Sequence, residues 1–465
     1  MVQNNEKNQY LATFTVNIIS VCYGASAAWP SSSFLLLESV ESSPLCSGAL
    51  TKNEMSWIAS ILCIGGFIGT ILSGILADFI GRKYVLCFQG IPSILSWILI
   101  YYAENPIYLY VSRFLSGLAC GGAFILVPLF VSEIAENSVR GALGSLLMVT
   151  SNVGILLSFM AGHYLSFRLV PAVFVVLPTL FLLLTVIFPE TPIFLLKTGK
   201  LEAAESSLRF YRNIQVTGQQ TPLQFQEEFE NLKRQFGSEN GRQMEKTTYF
   251  LTDFTEKVPR KSFIIGIALI LLHEFCGCFT MINYTATIFA ESGSNISPNL
   301  SAIICGAIQL LGTLVSTKLV DRAGRKFLLI VSSFGAGISL VALGTYTYLN
   351  SIGYYVQPFS WVAIASFSSM LFLASCGIIP LPYVILSEVM PHKIRSIGAT
   401  VCFCFSWTIA FLMLKYFPIV VIWIGMHGCI FFFAACCFLG AIFVIVFLPE
   451  TKGRSFEDIS RILAN

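Results

Sequence analysis

The chain has 465 residues, of which 55% are hydrophobic and 11% are charged, and its formal net charge is +3. Soluble domains carry about a quarter of their residues as charged side chains. The composition therefore excludes a soluble fold and indicates a protein embedded in lipid, where apolar surface is tolerated. The small net charge provides no basic field, so we expect no nucleic-acid partner. Because each crossing needs about 20 residues, the length fits about twelve transmembrane helices and one modest loop.

Twelve apolar segments follow one another along the chain in two groups of six. The first group is predicted at 11–33, 55–77, 84–103, 107–132, 141–164 and 167–188. The second group is predicted at 262–289, 298–320, 326–349, 359–387, 397–416 and 419–448. This pattern predicts an all-α membrane protein with two pseudo-symmetric six-helix bundles. The corresponding domains are 1–188, a helical linker 189–261, 262–448 and a tail 449–465.

The linker between the two groups is polar and charged. Its segments LEAAESSLRFYR (201–212) and PLQFQEEFENLKRQF (222–236) place apolar residues at helical spacing, which predicts two amphipathic helices. We expect these helices and the tail from Phe456 to Leu463 to brace the inner ends of the spans.

The distribution of lysine and arginine predicts the orientation in the membrane. Of the 28 such residues, only Lys52, Arg113, Arg168 and Lys415 fall on or near one side of the predicted bilayer. The positive-inside rule therefore places both termini and the linker in the cytosol. This topology requires an even number of spans, and the twelve apolar segments agree with it.

Three short motifs recur at corresponding places in the two groups of spans. LADFIGRK (76–83) follows the second span and LVDRAGRK (319–326) follows the eighth. The other two pairs are VSEIAENSVRGALG (131–144) with LSEVMPHKIRSIGA (386–399), and PETPIFL (189–195) with PETKGRS (449–455). Such a duplication predicts a transporter with two parallel halves, each an inverted pair of three-helix units.

The duplicated motifs bring acids and arginines to the inner ends of the spans. We expect Glu133 to meet Arg82 or Arg140, and Glu388 to meet Arg325 or Arg395, because the planar guanidinium binds carboxylates with two hydrogen bonds. A charge network that holds the inner gate is therefore predicted. Its members are Asp78, Arg82, Glu133, Arg140, Glu190, Asp321, Arg325, Glu388, Arg395 and Glu450.

Several segments resemble the signatures of sugar porters of the major facilitator superfamily. These are RFLSGLACGG (113–122), VPLFVSE (127–133), PETP (189–192) and PETKGRS (449–455). INYTATIFAESGS (282–294) and GASAAWPS (24–31) resemble the insect facilitated trehalose transporter-like group. The resemblance covers the chain nearly end to end. It implies the major facilitator fold, a plasma-membrane location and facilitated diffusion of a mono- or disaccharide, glucose or trehalose.

The seventh span departs from the pattern of the family it resembles. In HEFCGCFTMINY (273–284), His273 and Glu274 stand where the family has two glutamines, and Phe279 stands where it has an asparagine. Sugar binding needs amides and hydroxyls around an aromatic platform, although such polar groups also pack helices in lipid. The predicted substrate-binding residues are Asn152, His273, Glu274, Thr280, Asn283, Tyr284, Gln309, Tyr383, Ser406 and Trp407.

The role of His273 and Glu274 has several interpretations, because an ionisable residue inside a span is a candidate functional residue. Glu274 either binds a donor on the substrate or carries a coupled proton, with His273 tuning its charge. Alternatively, the pair satisfies itself and has no part in transport. Proton-coupled sugar porters typically carry an acid in the first span, and SVCYGASAAW (20–29) has none, which favours uniport.

Three functions remain open at this point. They are a sugar uniporter, a proton-coupled symporter of a sugar, polyol or other small polar solute through Glu274, and a non-transporting sugar sensor. We expect no cofactor, metal or enzyme activity, because the chain lacks Walker and catalytic-triad motifs and its 14 cysteines lack zinc-type spacing. Asn295 and Asn299 match the N-glycosylation pattern. The expected partners are a sugar and the bilayer, and a monomer is compatible with the sequence.

Overall fold

The computed structural model describes residues 6–136, 138–214, 222–237, 257–291, 296–391, 394–454 and 456–464. The side chains of Asp321 and Arg395, two members of the predicted charge network, lie outside the described part. The predicted glycosylation site Asn295 also lies outside the described residues.

The first half contains six spans. They are α1 (Lys7–Glu38), α2 (Lys52–Ile80), α3 (Arg82–Tyr101), α4 (Pro106–Ile134), α5 (Arg140–Tyr164) and the helical pair α6 (Leu169–Phe174) and α7 (Val176–Thr185). Local sequence explains where these helices begin. Thr51 and Glu54 form a capping box at the start of α2, which satisfies two backbone N–H groups that the helix leaves free.

The linker forms three short helices in its described part. They are α8 (Pro192–Lys197), α9 (Leu201–Tyr211) and α10 (Leu223–Phe236). The two predicted amphipathic helices are confirmed by α9 and α10, whereas α8 was not predicted. Tyr211 fixes α9 to the first half, because its ring is buried and its hydroxyl donates to the Pro189 carbonyl at 2.7 Å.

The second half contains spans that are interrupted more often. Span seven consists of α11 (Lys257–Phe275), α12 (Cys278–Asn283) and α13 (Thr285–Glu291). Spans eight and nine are α14 (Pro298–Ala323) and α15 (Arg325–Ser351), and span ten is α16 (Ser360–Cys376) with α17 (Leu381–Val389). The chain continues with α18 (Arg395–Phe447) and the tail helix α19 (Phe456–Ala464).

Helix α18 contains the last two spans, and it reverses direction at Gly425, where φ is 73°. The predicted break at residues 417–418 is therefore wrong, because Pro418 lies inside the first arm of the helix. The rings of Phe417 and Phe433 stack with centroids 6.3 Å apart. A straight helix rises 1.5 Å per residue and would hold them about 24 Å apart, so the two arms run antiparallel.

The helices account for twelve crossings. By length and composition, ten helices in the described part are able to cross a membrane, and one of them, Ile397–Phe447, contains two arms. The shorter apolar segment Leu169–Thr185 supplies the remaining crossing. Large apolar side chains such as Trp423, at 78% exposure, and Phe79, at 74%, face outward, as lipid contact permits. The prediction of an all-α membrane protein with twelve spans is thus confirmed.

The two halves meet on one side of the molecule. An even number of crossings places both chain ends on the same side, which we call the inner side. Toward the opposite, outer side, Ser31 accepts from the Ala286 N–H at 3.0 Å, and Lys415 donates to Asn53 at 2.8 Å. On the inner side, the first half packs a hydrophobic core drawn from its own spans and the linker. The second half packs a separate core around Met390 on the same side, and neither core contains residues of the other half. The structure is therefore closed on the outer side and inward-facing.

Candidate functional site: a cavity between the two halves

A cavity lies between the two halves near the middle of the spans. It holds about 870 Å³ of space, its open mouth included. The first half contributes side chains from α1, α4 and α5, and the second half contributes side chains from α11, α12, α14, α17 and α18. Each half thus contributes several helices to the cavity wall, so a relative movement of the halves changes the shape of the cavity.

Most of the predicted substrate-binding residues reach this cavity. Those that line it are Asn152, His273, Glu274, Gln309, Tyr383, Ser406 and Trp407. Thr280, Asn283 and Tyr284 are buried but lie outside the lining. Asn283 donates to the Phe279 carbonyl at 2.9 Å, and the Tyr284 hydroxyl donates to a carbonyl of α18 at 3.2 Å. A substrate contact of these three residues stays a prediction.

A break in span seven explains this division. Gly277 has a left-handed backbone with φ of 78°, a conformation that glycine adopts without a steric penalty. A Cβ at this position would lie 2.5 Å from the Phe433 ring. The break ends α11 just after Glu274. Beyond it, Cys278, Phe279 and Ile282 line the cavity, whereas Thr280, Asn283 and Tyr284 do not.

Glu274 presents a carboxylate to the cavity. The residue is 5% exposed, and its Oε1 accepts from the Ser406 hydroxyl at 2.5 Å. The Tyr383 hydroxyl lies 3.5 Å from the same Ser406 oxygen. No lysine or arginine lies among the described residues that line the cavity. Among the described residues, the Glu274 carboxyl group is therefore held by the Ser406 hydroxyl rather than by a cation.

His273 is oriented by its neighbours in span ten. Its Nδ1 lies 3.3 Å from the Ile378 carbonyl, which belongs to the break between α16 and α17. Its ring meets Tyr383 edge to face at 5.1 Å, and Tyr383 stacks on Phe403 at 5.0 Å. An Nδ1–H donor leaves Nε2 of the neutral ring as an acceptor.

Aromatic side chains form part of the cavity wall. Trp407 donates its Nε1–H to the Thr70 hydroxyl at 3.0 Å, which links the two halves. Phe124 meets Trp407 edge to face at 6.4 Å, and Tyr23 meets Phe124 at 4.8 Å. Such a wall suits the C–H faces of a sugar ring. Tyr23 and Phe124 were not predicted, because in the sequence they resemble the many aromatic residues of the spans.

The two amides of the cavity differ in their hydrogen bonding. Asn152 donates to the Thr313 hydroxyl at 2.6 Å, so it also links the two halves. Gln309 is buried, and its Oε1 has no hydrogen-bond partner in the described part of the chain. An unpaired buried carbonyl oxygen is costly, so a ligand donor that reaches this oxygen would stabilise it.

The charge network of the first half forms at the inner ends of its spans. Arg82 bonds Glu133 at 3.0 Å and Asp78 at 3.3 Å, and the Thr191 hydroxyl donates to the other oxygen of Glu133. Glu190 accepts from the Lys83 N–H at 3.1 Å. Burial raises the pKa of the Glu190 carboxyl, although nearby backbone N–H donors act against this shift.

The second half repeats this arrangement with different details. Arg325 bonds Glu388 at 3.2 Å. Burial acts to raise the pKa of Glu450, but backbone N–H donors from residues 325, 326, 451 and 452 outweigh it and leave the pKa below its usual range. In the first half, Arg140 donates to the Ala135 carbonyl at 3.2 Å, and no ion pair with an acid forms among the described residues. These contacts lie within each half, and a gating role for the network stays a prediction.

Comparison with known proteins agrees with this architecture. The chain matches the family model "Sugar (and other) transporter" over residues 7–463. It is 33% identical to the facilitated trehalose transporter Tret1 of Culex quinquefasciatus over 454 residues, which cover 98% of this chain and 85% of the relative. The Tret1 of Polypedilum vanderplanki is also 33% identical, over 97% of this chain and 87% of the relative.

Solved structures share the fold. The inward-open conformation of the xylose transporter XylE from E. coli superposes with a TM-score of 0.78 at 22% sequence identity, over 98% of this chain and 99% of that one. XylE in a partially occluded inward-open conformation gives a TM-score of 0.77 at 20% identity, over 96% and 99%. Because the family model covers nearly the whole chain, the protein belongs to the sugar (and other) transporter family and has the major facilitator fold.

Proposed function

We propose that the protein carries a mono- or disaccharide, glucose or trehalose, across the plasma membrane by facilitated diffusion. The observation that carries this proposal is the cavity between the halves, which combines an aromatic wall with the amides Asn152 and Gln309 and with the Glu274 carboxylate. Sugars need both features, because they offer hydroxyl groups at the ring edge and C–H groups on its faces. Of the two sugars, trehalose is favoured because the similar proteins are named facilitated trehalose transporters.

The transport cycle follows from the contacts between the halves. In the inward-facing state, the bonds from Lys415 to Asn53 and from Ala286 to Ser31 close the outer side. An outward-facing state requires that these bonds break and that the inner ends approach each other. The sugar then enters from outside, and rocking of the halves exposes it to the inner side.

Orientation and assembly complete the proposal. The concentration of lysine and arginine on the inner side supports cytosolic termini, and we expect a monomer that acts as a transporter rather than an enzyme. Asn299 lies in the first turn of α14 on the outer side, where glycosylation enzymes act.

A second candidate function is proton-coupled symport of a sugar, polyol or other small polar solute. The observation that favours it is the position of Glu274, a buried acid in the cavity lining that has no lysine or arginine beside it among the described lining residues. Such an acid is suited to carry a proton. The α1 residues in the lining, Tyr23 and Ala27, supply no acid, and this absence from the described α1 lining favours uniport.

Uptake by proteoliposomes that contain the purified protein separates these functions. Radiolabelled trehalose, glucose and fructose are offered with and without an inward proton gradient. Facilitated diffusion predicts saturable uptake of at least one sugar, which stops when the inside and outside concentrations are equal. Accumulation that depends on the proton gradient and disappears in Glu274→Gln would establish symport. Saturable binding without uptake would indicate a sugar sensor.

A further inference from the structure

The hydrogen-bond donors of the cavity are largely used by the protein itself. Trp407 Nε1–H is bound to Thr70, the Asn152 amide to Thr313, and the Ser406 hydroxyl to Glu274. The Nδ1 of His273 lies against the Ile378 carbonyl. Among the described lining groups, the Gln309 amide nitrogen, the second N–H of Asn152 and the Tyr23 hydroxyl are left to meet acceptors of a ligand.

The acceptors of the cavity, in contrast, have few partners within the protein. Glu274 uses Oε1 for Ser406 and keeps its second oxygen for a ligand. Gln309 Oε1 is buried and lacks a partner within the described residues. His273 keeps Nε2 as an acceptor when Nδ1 donates to Ile378. The second half therefore faces the ligand with acceptors, one of which is a carboxylate.

We infer, on the basis of the proposed function, that the cavity selects polyhydroxylated solutes by charge, and that Glu274 makes it favour a cationic amino sugar over a neutral sugar and exclude a sugar acid. The geometry gives the reason for this order. A ligand ammonium or hydroxyl group satisfies the open acceptors, whereas a ligand carboxylate would face the Glu274 carboxylate with no lysine or arginine in the described lining to offset the repulsion.

The size of the preference follows from the environment of Glu274. Hydrogen bonds between charged partners are about twice as strong as those between neutral partners. An unpaired buried charge is costly, so a ligand cation that pairs with Glu274 favours its ionised form and gains affinity from the pair. A difference of about tenfold in affinity between successive members of the series is expected, since about 1.4 kcal/mol corresponds to a factor of ten.

Binding to the purified full-length protein tests this inference without requiring transport. Titration calorimetry at neutral pH compares three ligands of similar size: glucose, glucosamine and glucuronate. We expect glucosamine to bind about tenfold more tightly than glucose, and glucuronate at least about tenfold more weakly. Equal affinities for glucosamine and glucuronate, or no binding of any of the three, would overturn the inference.

Variants at Glu274 test whether this residue causes the preference for glucosamine over glucuronate. Glu274→Gln should bring the affinities for glucosamine and glucuronate together, whereas Glu274→Asp, which keeps the charge, should retain their order. Glu291→Gln is the matched control, because Glu291 ends α13 outside the cavity lining, and its order should match that of the wild type. If Glu274→Gln retains the full difference, the inference is wrong. Binding in this order without uptake would instead disprove only the proposed transport.

Discussion

Single residues decide the shape of the cavity, and Gly277 is the one with the clearest structural role. Its left-handed backbone ends α11 immediately after His273 and Glu274. Without this break, the helix would continue and turn these side chains relative to Cys278 and Ile282. The unusual pair of ionisable residues and the break that presents them therefore form one structural unit.

Replacement of Gly277 by alanine should damage both stability and transport. A left-handed backbone costs a non-glycine residue about 1–2 kcal/mol, and the added Cβ would also displace the Phe433 ring, 2.5 Å away. Gly353→Ala is the control, because Gly353 also has a positive φ, 84°, but has open space around it. Thermal unfolding in detergent should show a larger loss for Gly277→Ala than for Gly353→Ala. Equal losses would show that packing at Gly277 is unimportant.

The sequence predicted part of the cavity residue by residue. Asn152, Gln309 and Trp407 reach the lining because α5, α14 and α18 run through it without a break, so helical spacing determines which face they occupy. Thr280 and Asn283 were also predicted, but the residues before them leave the helical conformation at Gly277. Spacing along the chain does not reveal how far such a break turns the following residues.

At the scale of helices, the corresponding acids Glu190 and Glu450 of the two charged turns have pKa values shifted in opposite directions. Four backbone N–H groups stabilise the Glu450 carboxylate and leave its pKa below the usual range despite burial. At Glu190 burial dominates and raises the pKa. The ionised Glu450 therefore stabilises the folded chain above its unfolded pKa, and this stabilisation is lost as the pH falls through the folded pKa. Glu190 stabilises in its protonated form and loses that stabilisation as the pH rises.

This difference predicts opposite pH dependences for two matched variants. The loss of thermal stability in Glu450→Gln, relative to the wild type, should increase from acidic to neutral pH. The loss in Glu190→Gln should decrease over the same range, since neutral pH removes the advantage of the protonated wild-type acid. Melting curves of the purified variants at several pH values measure both trends. Trends of the same sign would contradict the assignment of these two acids.

Helices α2 and α18 form the main contact that closes the outer side. The Lys415 ammonium donates to Asn53 at 2.8 Å and to Ser56 at 2.9 Å, and lies 4.1 Å from the centre of the Trp57 ring. Lysine is seldom buried unless it is paired, so these partners compensate its burial. Each bond to a charged group contributes about 1.5–3 kcal/mol, and this energy favours the inward-facing state.

Lys415→Met should shift the protein toward the outward-facing state. A reporter cysteine is introduced in place of Met55, a buried residue in the outer contact between the halves. The exposed Cys46 is replaced by serine so that it does not react. Labelling by an impermeant thiol reagent from outside should become several-fold faster in Lys415→Met. Arg168→Met removes an exposed cation on the same side and should leave the rate unchanged. An unchanged rate in Lys415→Met would exclude Lys415 from outer closure.

At the scale of the whole molecule, the fold was predictable because two independent patterns indicate it. The apolar segments give the number of spans, and the duplicated motifs indicate two similar halves. The segment bounds 397–416 and 419–448 placed the reversal of α18 at residues 417–418, whereas the structure has it at Gly425. The conformational state was not predictable. It depends on contacts between distant segments, such as Asn152 with Thr313 and Trp407 with Thr70, whereas motifs report only on local structure.

In the proposed transport cycle, one cavity opens alternately to the two sides and carries sugar between them. Counterflow in proteoliposomes tests it most directly: vesicles preloaded with unlabelled sugar are diluted into a trace of labelled sugar, with no ion gradient. We expect a transient accumulation of label above its outside concentration, which unloaded vesicles and Gly277→Ala vesicles lack. Uptake that never exceeds the outside concentration, or no uptake of any sugar, would contradict alternating access through this cavity.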